Sequence, residues 1–91
     1  MAAPTPYKTS PVFDQDRLPP GLRREHSTKQ GIWGVVRLLE GRLRLFFPLT
    51  GEERLLSPGV PGLVRPAEPH LAEPLGAMRM QIEFYAAEPS L

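Results

Sequence analysis

The sequence contains no cysteine. Disulfide staples, thiolate zinc sites, thiol catalysis and redox switching are therefore excluded. No apolar run approaches the length of a membrane span. The opening stretch Met1-Ala2-Ala3-Pro4-Thr5-Pro6 lacks the apolar core of a secretion signal. No membrane association is expected, and the cytoplasm is the expected location. Charge of one sign is also missing, since 11 Lys and Arg stand against 10 Asp and Glu. The arginines are spread along the chain rather than gathered in a basic stripe, so a nucleic-acid partner is not expected. Absent too are Gly-x-Gly-x-x-Gly, a phosphate loop, a Gly-x-Ser-x-Gly elbow and His-Glu-x-x-His. Asp14-Gln15-Asp16 lacks the rest of a calcium loop. No stretch has the sustained 3.6-residue period of an amphipathic helix.

What the chain does have is 12 prolines and 8 glycines in 91 residues, falling between short apolar runs. That is the punctuation of an all-β domain. One domain fits this length, with a thin core that metal binding or oligomerisation would support. Residues 1–12 read as an extended N-terminal arm, frayed or docked on a sheet edge or a partner subunit. Residues 13–88 read as the domain and 89–91 as a tail.

Leu22–Thr28 is a candidate strand. Ile32–Leu39 is the strongest strand signal, rich in β-branched and aromatic residues. Glu40-Gly41 reads as a two-residue turn, and Arg42-Leu43-Arg44-Leu45 alternates, so 35–47 is expected to be a hairpin. Shorter strands are expected at Glu53–Leu56 and Gly62–Pro66, and a stiff Ala67-Glu68-Pro69 corner leads into His70. The last strand, Arg79–Tyr85, places Met80, Ile82 and Phe84 on one face. Seven or so short strands with regular turns fit a β-sandwich or jelly roll.

Two histidines exist, His26 and His70. Facing strands of a jelly roll could bring them together. Two imidazoles and a carboxylate form a metal site with open positions. Glu73 is the leading carboxylate, with Glu83 and Gln81 on the last strand behind it. By spacing alone, surface or core roles are the commoner fate of two scattered histidines. Trp33, with Phe46, Phe47, Phe84 and Tyr85, lines a pocket or fills the core, and core packing is the commoner use of aromatics. Arg23-Arg24 and Arg42-Leu43-Arg44 read as solvated faces that discourage edge pairing rather than as anion sites.

The segment Arg24–Gly34, with its string His26-x-Thr28-Lys29-x-Gly31-x-Trp33-Gly34, resembles the opening block of the TehB/YeaR-like small cupin family. A second block, Val64–Glu73, and the closing strand Gln81–Tyr85 resemble that family as well. The match runs over residues 7 to 88. The family comprises the N-terminal domain of some tellurite-resistance methyltransferases and related small proteins. The resemblance implies an all-β, cupin-like double-stranded jelly roll. It implies a binding or sensing module holding one divalent metal (zinc, iron or nickel) or a small anion at the barrel mouth.

Carried over by position, His26, His70 and Glu73 become the metal ligands, with Trp33, Thr28, Gln81 and Glu83 as pocket residues. The first block has one histidine where cupins have two, Glu25 stands off the usual glutamate position, and Pro66 and Pro69 replace a Pro-x-Gly corner. These 91 residues are not expected to include a methyltransferase domain, so no nucleotide cofactor is expected. A small metal-dependent cupin enzyme of oxygenase or isomerase type stands as an alternative. So does a homodimeric interaction module, built by an arm or edge strand crossing to a second copy.

Overall fold

A computed structural model describes residues 3–91. The chain forms two antiparallel sheets and one four-residue helix. In chain order the elements are β1 (Lys8–Thr9), β2 (Phe13–Asp14), α1 (Pro20–Arg23), β3 (Trp33–Glu40), β4 (Leu43–Phe47), β5 (Glu52–Leu56), β6 (Gly62–Val64), β7 (Leu71–Pro74) and β8 (Arg79–Tyr85). The first sheet runs β1-β8-β3-β6, with β2 also on β8; the second runs β5-β4-β7. The chain is thus all-β, as the turn punctuation implied. The two sheets face one another and do not close into a barrel among the described residues.

Alternation decides what goes inside. Gly34, Val36 and Leu38 of β3 and Met80 of β8 turn inward toward Leu43, Leu45 and Phe47 of β4. Leu56, Val64, Ala72, Met78 and Leu18 complete the buried cluster. The sheets approach closely at Gly62. A Cβ there would stand 2.8 Å from Leu56 Cδ1 and 2.9 Å from Leu45 Cδ2.

Two expectations are corrected. β3 and β4 are consecutive and joined by a short turn, yet they do not pair. β3 bonds to β6 and β8, and β4 to β5 and β7. The Glu40-Gly41 link is therefore an arch that carries the chain from one sheet to the other, not a hairpin. The alternation of Leu43 and Leu45 satisfies either geometry, because in an arch the apolar faces meet each other instead of lying side by side. Gly41 makes the arch possible. It has φ +76, and an added Cβ would lie 2.2 Å from the Ala77 carbonyl oxygen.

The second correction concerns Leu22–Thr28, which is not a strand. Pro20, at the start of α1, favours a helical turn. The chain becomes extended again near His26, where it makes a single bridge to His70.

The N-terminal segment docks within its own chain. Lys8 and Thr9 pair with Phe84 and Glu83. Ser10 Oγ accepts from Ile82 N, and Gln81 Nε2 donates to the Ser10 carbonyl. Gln15 Oε1 accepts from Met78 N.

Candidate functional site

The His26–His70 bridge sits between β7 and the segment leading into β3. Each backbone N–H donates to the other's carbonyl, at 2.9 and 2.8 Å. This reciprocal pair fixes both Cα positions, and the rings then meet with centroids 4.1 Å apart at 59°. The Phe47 ring backs His70 at 6.2 Å. Two residues forty-four positions apart therefore converge.

The ring nitrogens are fixed by simple chemistry. His26 Nδ1 lies 2.9 Å from the Arg24 carbonyl oxygen, and His70 Nδ1 lies 2.8 Å from that of Glu68. A carbonyl only accepts, so each Nδ1 carries the proton. In the neutral rings, each Nε2 then keeps its lone pair. Neither Nε2 has a protein partner among the described residues, and no buried side-chain nitrogen or oxygen is left unsatisfied. Neither Nε2 is therefore sealed off from solvent. His70 is only 5% exposed. Burial pushes its pKa below the ordinary 6.5, aided by the neighbouring His26 and opposed by the bond to the Glu68 carbonyl.

Both histidines line a cavity of about 390 Å³ between the sheets. Its floor is apolar and buried: Gly34 and Val36 of β3, Leu45 of β4, Val64 of β6, Ala72 of β7 and Met80 of β8. Ile82 and Phe84 form a half-buried wall. Tyr7, Lys8, Ser27 and Lys29, all exposed, form the rim. The floor is open at Gly34 because it lacks a side chain. A Cβ there would meet Val64 Cβ at 3.5 Å, an ordinary contact. Thr28 also lines the cavity, and its hydroxyl is already engaged. It donates to the Ile32 carbonyl at 2.8 Å and accepts from Ala67 N at 3.3 Å. Ala67 holds a positive φ of 59, so this bond ties down a strained corner beside the site.

The other expected residues lie elsewhere. Strand alternation sends His70 and Ala72 inward and Leu71 and Glu73 outward. Glu73 is exposed, opposite Arg44 across the β4–β7 pair, with Arg44 Nη1 at 4.0 Å. Glu83 and Trp33 lie on the outer face of the first sheet. Arg37 Nε donates to Glu83 at 2.7 Å and the Tyr85 hydroxyl donates to the same oxygen at 3.0 Å. The Glu83 carboxylate raises the Arg37 pKa, with their hydrogen bond as the largest cause. Trp33 pairs with Tyr85. Gln81 is spent on the N-terminal segment.

Among the described residues no three His, Asp or Glu side chains converge. A two-histidine-one-carboxylate metal centre on His26, His70 and Glu73 does not fit this arrangement. Lys8 and Lys29 are cavity residues not expected from the sequence. Lys29 lies inside the string that carries the resemblance, which was the available signal.

Comparison with known proteins agrees with this architecture. The TehB-like domain family matches residues 8–82. A 44-residue segment is 41% identical to the probable S-adenosyl-L-methionine-dependent methyltransferase TehB of Haemophilus influenzae strain 10810. It is 43% identical to the protein of the same name in strain Rd. In both cases the segment is 48% of this chain and 15% of the relative. The crystal structure of TehB from Haemophilus influenzae superposes with a TM-score of 0.80 at 29% identity, over 91% of this chain and 31% of that one. A crystallised protein of E. coli strain K12 shares the fold, with a TM-score of 0.85 at 15% identity, covering 97% of this chain and 94% of that one. The chain thus spans under a third of the TehB proteins it matches. It belongs to the TehB-like domain family.

Proposed function

We propose that this domain is a ligand-binding module of cupin-like, jelly-roll descent that holds a small molecule in the cavity between its sheets. The observation that carries this reading is a chamber of about 390 Å³ with an apolar floor, lined also by His26 and His70. Chambers of that size, apolar with a few convergent polar groups, are the usual form of small-molecule sites. A packed domain this small gains nothing in stability from an unfilled inter-sheet space.

The wall favours an anion over a divalent metal. Two lysines stand at its rim and no carboxylate lines it. With the three-ligand set not assembled, no metal-dependent step is assigned to these residues. The TehB relatives are named as probable methyltransferases, and their matched segment is a small part of each. Ligand binding beside such chemistry, rather than methyl transfer itself, is the role this domain would supply.

An NMR fragment screen tests the reading, with Gly34→Leu as the blocked control. Saturable amide shifts at Thr28, Gly34, Val36 and His70 that vanish in the control are expected. A screen in which no fragment moves these residues would contradict it.

A further inference from the structure

The rim of the cavity is cationic and its floor is apolar. Lys8 and Lys29 are exposed at the rim, and the Lys8 ammonium lies 6.0 Å from the Phe84 ring centroid. Val36, Leu45, Val64 and Met80 are buried below. The acidic groups nearby are directed elsewhere. Glu68 is paired with Arg65 Nη1 at 3.2 Å, and neither Glu68 nor exposed Glu25 lines the cavity. Molecules that fill such a space remove apolar surface from water at the floor, so the body of the ligand must be apolar. Its head must then sit among uncompensated cations.

We infer that the ligand is an amphipathic monocarboxylate, seated tail inward on the floor with its carboxylate at the rim toward Lys8 and Lys29. This rests on the ligand-binding reading and specifies its chemistry. An alkylammonium of the same length would gain the same apolar burial but meet like charge. A neutral alcohol would leave the two ammonium groups without a counter-ion. Ion pairs at an exposed rim are screened and individually modest. Two of them together make a preference of about tenfold for the acid over the alcohol.

The test titrates the full chain with octanoate, octanol and octylammonium, following amide shifts. Octanoate is expected to bind tightest, octanol about tenfold weaker and octylammonium weaker still. The Lys8→Met, Lys29→Met double variant changes only exposed side chains. It is expected to abolish the preference, so that octanoate binds no tighter than octanol to the variant. Octylammonium binding as well as octanoate would overturn the inference while leaving the cavity reading intact. An acid preference that survives the double variant would do the same. Failure of all three probes to bind at the cavity would overturn both.

Discussion

The inter-sheet space has two ends built from the same strands, and they are filled differently. Near the β3–β4 arch, Leu38, Leu43, Leu56 and Met78 interdigitate and are all 5% exposed or less. Toward the histidine bridge, the inward positions on β3, β6 and β7 are Gly34, Val64 and Ala72, and a chamber remains. Side-chain volume at alternating positions accounts for the difference. Large residues at one end make core, and small ones at the other end make a site. The arch end carries the stability, and the bridge end trades packing for space.

That contrast can be broken at its strong end first. Leu43→Ala removes a fully buried side chain where the sheets are tight, and is expected to cost about 3 kcal/mol in urea denaturation. Gly41→Ala forces a Cβ toward the Ala77 carbonyl at positive φ and is expected to cost about 2 kcal/mol. A neutral result for either would mean that the arch does not anchor the fold.

At the open end the expected effects are smaller. His70 is held neutral by burial, its folded pKa lying below the unfolded 6.5. The unfolded chain therefore takes up the proton first as pH falls. Stability is full above pH 6.5 and is lost as pH drops from there through the lowered folded value. A thermal melt series should show this decline, and His70→Gln should flatten it. Gly34→Ala is expected to stabilise by about 0.5 kcal/mol, because alanine costs less than glycine in a strand and its Cβ finds ordinary contacts. It should weaken ligand binding at the same time. Opposite signs for Leu43→Ala and Gly34→Ala would sharpen the division between core and chamber.

Much of this was legible in the sequence, for identifiable reasons. β3 and β8 declared themselves because their apolar residues alternate or run continuously between turn residues. That His26 and His70 belong to two separate family-like blocks was legible, but whether the two rings meet was not, because the bridge between them is a backbone pairing set by the tertiary fold. Four other things did not follow. Leu43 and Leu45 alternate identically in a hairpin and in an arch, so only the tertiary partner of β4 distinguishes the two. The polar run Arg23–Ser27 has no period that separates a helical turn from a strand. Glu73 looked like a ligand by proximity to His70, although an odd spacing of three along a strand already placed it on the opposite face. Lys8 and Lys29 converge on the rim from the N-terminal strand and the segment before β3, a juxtaposition set by the docking of β1 on β8.

The most direct measurement is a crystal or NMR structure of the domain with octanoate, beside an octanoate titration of Gly34→Leu. The account predicts the alkyl chain between the sheets on Val36, Leu45 and Met80, and no saturable binding in the variant. Octanoate seated on an outer sheet face, or bound equally well by Gly34→Leu, would contradict it.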